Sequence, residues 1–173
     1  EGASSSILDW TRVDWTRVGK SVQGCFEVRV RLGADSTPLI IPETYMNLSG
    51  EGVGRYLRYF GIPAKAMLVV YDELDLRPGV LRLKRGGSSG GHRGMESILQ
   101  HVDDPEFLRM RIGIGHPRDV QSPLDVAAWV LGEPQGEDRE RIEESVREAT
   151  GAIGVLQASG LEAAQSQFHK QNQ

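Results

Sequence analysis

Met67-Leu68-Val69-Val70-Tyr71-Asp72-Glu73-Leu74-Asp75-Leu76 is the stretch around which the remaining elements arrange themselves. Its apolar half, Met67 to Tyr71, has the length and β-branched content of a buried strand. The strand ends in three acids within four residues, Asp72, Glu73 and Asp75. A carboxylate at the exit of a buried strand lies where open α/β sheets hold their ligands. Arg77-Pro78-Gly79 follows, then a basic strand, Val80 to Arg85, then Gly86-Gly87-Ser88-Ser89-Gly90-Gly91-His92-Arg93-Gly94. An acid beside a glycine-rich, cationic turn is the chemistry-bearing part of the chain.

On the N-terminal side, Phe26, Val28 and Val30 alternate with Glu27, Arg29 and Arg31, the pattern of a half-buried strand closed by Gly33-Ala34-Asp35-Ser36. Leu39-Ile40-Ile41 forms a second strand, stops at Pro42 and makes a hairpin with the first. Pro42 to Gly50 reads as a strand-to-helix turn, and Val53, Leu57 and Phe60 carry a helix that ends at Gly61-Ile62-Pro63. On the C-terminal side a short helix runs through Met95, Ile98 and Leu99. A strand with one cationic face spans Phe107 to Gly115. A helical segment covers Leu124 to Leu131, and a long helix, Glu137 to Leu156, carries Ile142, Val146, Ala149, Ile153 and Leu156 on one stripe. The polar tail from Ala163 to Gln173 reads as frayed. Strands interleaved with helices predict one α/β domain, a mixed twisted sheet flanked by helices.

The length of 173 residues fits that single domain. Residues 19–173 are assigned to it and residues 1–18 are set apart, because Asp9-Trp10-Thr11-Arg12-Val13 is repeated at once as Asp14-Trp15-Thr16-Arg17-Val18. Five residues is no helical, strand or solenoid period, so an added or duplicated end explains it as well as a structural one does. Hydrophobic content of 39% and charged content of 25% are those of a globular protein. No apolar run approaches the roughly 18 residues of a membrane span, and the opening residues lack the pattern of a secretory signal. The single cysteine, Cys25, fits a reducing, cytoplasmic setting and a place in the core. With a net charge of −4, a polyanionic partner must be held by a local patch.

Several chemistries compete for these residues. Backbone N–H groups of the glycine-rich turn can face an anion, and a plain flexible connection would use the same glycines. The surrounding Arg82, Lys84, Arg85, His92 and Arg93 favour phosphate, and Arg109 and Arg111 extend that face if their strand lies near. The turn lacks a P-loop ending, and no Gly-x-Gly-x-x-Gly occurs. Gly87-Ser88-Ser89-Gly90-Gly91 matches the Gly-x-Ser-x-Gly nucleophile elbow, with Asp125 and His169 in order behind it, but its leading strand is basic where an elbow strand is apolar. His92, His101, His116 and His169 show no zinc spacing. A metal on Asp72, Glu73 and Asp75 competes with the commoner explanation, solvated turn acids. Asn47 and Asp72 both fall at strand exits, where two polar groups can converge on one substrate.

Four motifs, in order, carry a family resemblance. Pro42-Glu43-Thr44-Tyr45-Met46-Asn47-Leu48-Ser49-Gly50, Asp72-Glu73-Leu74-Asp75-Leu76-Arg77-Pro78-Gly79, Gly90-Gly91-His92-Arg93-Gly94 and Arg109 to Pro117 resemble the bacterial peptidyl-tRNA hydrolases, and Trp129-Val130-Leu131-Gly132 matches as well. The resemblance implies cleavage of the ester joining a peptide to the terminal ribose of tRNA, with no metal or organic cofactor, in a cytoplasmic monomer. It implies that Asp72 orients and stabilises a catalytic histidine. Asn47, with Tyr45 and Met46, would hold the substrate near the scissile ester. His92 matches a cleft-lining residue, not the base. Arg93 stands where asparagine is usual; an arginine accepts no hydrogen bond but can contact phosphate. Lys84, Arg85, Arg109 and Arg111 are the expected tRNA phosphate contacts.

The family opens with an apolar strand, a Gly-Asn-Pro-Gly-type loop and a Thr-Arg-His-Asn segment that supplies its catalytic histidine. Residues 1–18 match none of these, and Thr11-Arg12 and Thr16-Arg17 are each followed by valine. The expectation is therefore a hydrolase with its orienting acid and substrate asparagine but without its general base, hence impaired; the rival is an inactive RNA-binding relative. The family's first strand sits in mid-sheet, so association of chains could replace it in trans.

Overall fold

The computed structural model describes residues 18–32 and 34–169. Residues 1–17, which hold all of the repeated pentapeptides except Val18, together with Gly33 and the last four residues, lie outside the described residues. Three strands open the fold: β1 (Lys20–Val22), β2 (Cys25–Leu32) and β3 (Asp35–Pro42). They form an antiparallel sheet in the order β1-β2-β3, so the expected hairpin is present with one short strand added.

The alternation along β2 differs from expectation. Cys25 and Glu27 are buried alongside Val28. Glu27 tolerates burial because the Tyr56 hydroxyl donates to its Oε2 at 2.6 Å and Arg29 Nε to its Oε1 at 3.2 Å. A buried carboxylate held by two donors is satisfied, where an isolated one would be expelled. Burial pushes the Cys25 thiol up to about 11, with Glu43 adding to the effect, as befits a core residue and not a nucleophile.

Helix α1 (Ser49–Phe60) ends at Gly61, whose φ of 64° permits the left-handed cap and lets Ile62 N–H reach the Leu57 carbonyl at 2.9 Å. Strand β4 (Leu68–Glu73) is the predicted apolar run, though it lies at a sheet edge and is only partly buried, with Val70 exposed; β5 (Leu81–Arg85) and α2 (Arg93–His101) follow. Next come β6 (Leu108–Gly113), the short α3 (Val126–Leu131) and α4 (Gly136–Phe168). A mixed sheet runs β4-β6-β5, parallel between β4 and β6 and antiparallel between β6 and β5.

Each face of this sheet packs on helices. On one, Leu81, Leu83 and Met110 meet Ala149, Ala152 and Ala164 of α4. On the other, Val69 and Tyr71 pack with Phe107 against Val53 and Leu57 of α1 and Met95 and Ile98 of α2. Full burial of side chains such as Leu83 and Phe107 contributes about 1.5–3 kcal/mol each. The two helices approach closely because α1 turns glycine towards α2: a Cβ at Gly54 would lie 2.7 Å from the His101 carbonyl, and one at Gly50 would strike that of Ser97. Gly50 N–H donates to Ser97 Oγ at 3.0 Å in the same contact.

The tail is ordered further than its polarity suggests. Helix α4 bends at Gly160, where φ is 84° and ψ −179°, and continues to Phe168. Beyond the bend Ala164 is buried, Gln165 Nε2 donates to the Leu83 carbonyl at 3.0 Å, and Leu83 N–H donates to His169 Nε2 at 2.8 Å. Those two side chains satisfy the outer edge of β5, which would otherwise offer unpaired backbone groups. Val146, placed on the apolar stripe by periodicity, is half exposed; Ser145, Ala149 and Ala152 are the buried positions.

Candidate active site

At the exit of β4 the three acids diverge. Asp72 Oδ1 lies 3.1 Å from His92 Nε2, Glu73 Oε2 3.5 Å from Arg111, and Asp75 Oδ1 2.8 Å from Arg118. Among the described residues no group of three or more His, Cys, Asp or Glu side chains is arranged to hold a metal ion.

His92 is the N-cap of α2, and its Nδ1 accepts the Met95 N–H at 3.2 Å. A ring nitrogen that accepts carries no proton, so the proton sits on Nε2 and is donated to Asp72. The hydrogen bond from His92 holds the Asp72 carboxyl below its ordinary value, against the opposing effect of burial. Tyr71 stands edge-on to the imidazole at 5.2 Å. The glycine turn delivers His92 to this place: His92 N–H donates to the Ser89 carbonyl at 3.1 Å, and Gly91 N–H to Ser89 Oγ at 3.3 Å.

Asn47 sits in a single 3-10 turn, Met46–Leu48, tied down by Ser49 Oγ donating to the Met46 carbonyl at 2.8 Å. Gly94 lets that turn abut α2: a Cβ there would lie 3.1 Å from His92 Cε1 and collide with Met46 Sδ. Met46 is thereby set beside the imidazole that holds Asp72. Tyr45 is 82% exposed, an apolar wall open to solvent. Asn47 and Arg93 line one cleft of about 290 Å³ together with Glu96, Ser97 and Gln100. The last three were not singled out in the sequence, although positions 93, 96, 97 and 100 share a helical face once the helix is placed. A second cleft, of about 230 Å³ at the far end of α1, holds none of the expected residues.

The expected phosphate contacts separate into groups. Strand alternation and register, Arg82 opposite Arg111 and Lys84 opposite Arg109, put these four on one face. Burial holds the Lys84 ammonium below its usual range, helped by Arg111 and Arg109. Arg85 alternates to the other face and donates to the Glu106 carbonyl at 2.9 Å. Arg109 is a correction: it is 0% exposed, and its guanidinium is turned inward onto the Ser88 carbonyl at 2.6 Å and that of Gly87. A side chain with no exposed surface cannot meet a phosphate from solvent.

The serine-elbow residues do not assemble. Ser89 Oγ accepts from Gly91, Asp125 Oδ1 caps α3 through Ala128 N–H at 2.7 Å, and His169 is engaged by Leu83.

These features define an α/β domain with an acid–imidazole pair at a strand exit, bordered by an asparagine turn and a glycine-rich loop. The family model described as peptidyl-tRNA hydrolase matches residues 6–173. A peptidyl-tRNA hydrolase of Pseudoalteromonas translucida is 42% identical over 132 residues, 76% of this chain and 66% of that protein. One of Dehalococcoides mccartyi is 42% identical over 139 residues, 80% of this chain and 74% of that protein. The crystal structure of peptidyl-tRNA hydrolase from Acinetobacter baumannii matches with a TM-score of 0.77 at 34% identity, covering 84% of this chain and 72% of that one. The chain belongs to the peptidyl-tRNA hydrolase family. It spans roughly two thirds to three quarters of the length of these relatives.

Proposed function

We propose that this domain binds peptidyl-tRNA and hydrolyses the ester between peptide and tRNA, with Asp72 as the orienting acid and Asn47 holding the substrate beside it. The observation that carries the reading is the pairing of Asp72 with His92 next to the Tyr45-Met46-Asn47 turn. The Asp72 carboxylate is the natural partner for an imidazolium that forms during proton transfer. Tyr45 and Met46 offer apolar surface to the peptide, and Asn47 both donates and accepts beside the carbonyl. Arg93 lines the same cleft, and a guanidinium is suited to the phosphate nearest the terminal ribose. Lys84 and Arg111, on the cationic face of the β5–β6 pair, are the tRNA phosphate contacts of this reading.

Turnover by this chain is slow in the same reading. Each of its four histidines is engaged locally. His92 uses both nitrogens, His101 Nδ1 donates to the Ser97 carbonyl, His116 Nδ1 accepts from Arg118 N–H, and His169 Nε2 accepts from Leu83 N–H. His92, the histidine at Asp72, has no lone pair left to take a proton from water. Loss of a general base lowers rates by about 10²–10⁴-fold.

Peptide release from a defined peptidyl-tRNA tests this, run on this chain and on one extended with a family-type histidine segment. Fast release by the extended chain alone, abolished by Asp72→Ala, supports the reading. Rapid release by the present chain counts against the missing base. tRNA affinity without cleavage by either form favours an RNA-binding relative.

A further inference from the structure

Arg109 is the largest fully buried side chain in the described structure, and its charge has no use in the mechanism outlined above. Burying a cation is costly unless it is paired. Its side-chain hydrogen bonds run to the neutral carbonyls of Gly87 and Ser88, its Nε has no partner, and the guanidinium lies 4.8 Å from the centre of the Phe107 ring. The neighbouring carboxylate, Glu73, is taken by Arg111.

What the buried fork holds is the connection to His92. Gly86 N–H is fixed to the Phe107 carbonyl at 3.0 Å at the start of the turn, Arg109 grips the next two carbonyls, and the Ser89 carbonyl then receives His92 N–H. The same guanidinium contacts Tyr71, whose ring stands edge-on against the His92 imidazole. Two independent routes, one through the backbone of the turn and one through Tyr71, thus run from Arg109 to the ring that is bonded to Asp72.

We propose that Arg109 is a positioning residue: its inward fork sets the glycine turn and Tyr71 so that His92 presents Nε2–H to Asp72. The proposal rests on the hydrolase reading only for its consequence in catalysis. Its geometric claim concerns His92 itself. A planar guanidinium reaches two carbonyls and an adjacent hydroxyl at once, which an ammonium on a flexible stem does not.

Arg109→Lys, which keeps the charge and loses the fork, is compared with the unaltered chain by ¹⁵N NMR of the imidazoles at neutral pH. The unaltered protein is expected to show His92 as a single Nε2–H tautomer. The variant, melting cooperatively, is expected to show exchange between tautomers of His92, with the ring signals of His101 and His116 unchanged. An unmoved His92 signal in a folded variant overturns the proposal. If Arg109→Lys does not fold, the unaltered protein carries the test. Couplings across the hydrogen bonds from Arg109 to the Gly87 and Ser88 carbonyl carbons are expected, and their absence overturns the proposal. Neither readout depends on tRNA cleavage, so failure of the hydrolase reading leaves a distinct result: His92 behaves as stated while no peptidyl-tRNA is bound or cut.

Discussion

Asp72 and His92 meet at 3.1 Å across the first turn of α2, and the second ring nitrogen of His92 is already taken by the Met95 N–H. The imidazole is therefore a strut: it closes the N-terminus of α2 with one nitrogen and holds the strand-exit acid with the other.

Acid stability should reflect this pair. The folded Asp72 carboxyl titrates below its unfolded value of 3.8, chiefly through the His92 hydrogen bond. The stabilisation is thus fully present above the unfolded value and is lost as pH falls through the folded one. Urea midpoints measured from pH 6 to pH 2 should fall less steeply in Asp72→Asn than in the unaltered protein over the acid limb. Parallel curves would count against the pair as a stabilising contact.

At the opposite edge of the sheet a second histidine gives a window of the same sign at higher pH. His169 must be neutral to accept the Leu83 N–H, and burial, with Arg82 and Arg111 nearby, holds its value below the ordinary 6.5. A depressed histidine contributes stability above its unfolded value and loses it as pH falls below. Exchange of the Leu83 amide, corrected for its intrinsic rate, should accelerate between pH 7.5 and 5.5. His169→Ala should make that protection low at both pH values.

Glycines divide by what faces them. Gly50→Ala places a methyl against the Ser97 carbonyl backbone. Overpacking there should outweigh the gain in helix propensity, for a net loss of about 1–3 kcal/mol and a displaced Asn47 turn. Gly154→Ala in α4 meets nothing within 4 Å and should stabilise by about 0.5–1 kcal/mol. Thermal melts of the two variants shifting in the same direction would contradict this packing account.

The cationic face should separate by its geometry. Lys84→Ala and Arg111→Ala should each weaken tRNA binding and lower the slope of log K against log salt by about 1. Arg85→Ala, on the other side of β5, should leave that slope within error. Equal effects from all three would remove the face as the phosphate track.

Much of this was legible in the sequence. The β4 run, the β2–β3 hairpin and α1 follow from residue spacing and punctuation, because apolar period and glycine placement act locally. Asp72 and Asn47 stand out at strand exits and His92 in the glycine-rich motif, and the structure brings Asp72 and His92 together. What escaped was set by tertiary contact. Glu27 looks like a solvent residue until Tyr56, far along the chain, supplies its donor. Arg109 looks like a surface cation because alternation cannot tell which sheet face a helix will cover. His169 reads as tail, since nothing local shows that β5 will need an acceptor at Leu83.

The most direct test of the proposed function adds a base from solution. Single-turnover release of peptide from a defined peptidyl-tRNA is followed with increasing imidazole, in this chain and in Asp72→Asn. Slow release that rises with imidazole in the former and stays flat in the latter is the expected result. Fast release without imidazole, or an equal response in both proteins, would contradict the proposed reading of Asp72 as an orienting acid that needs a base from elsewhere.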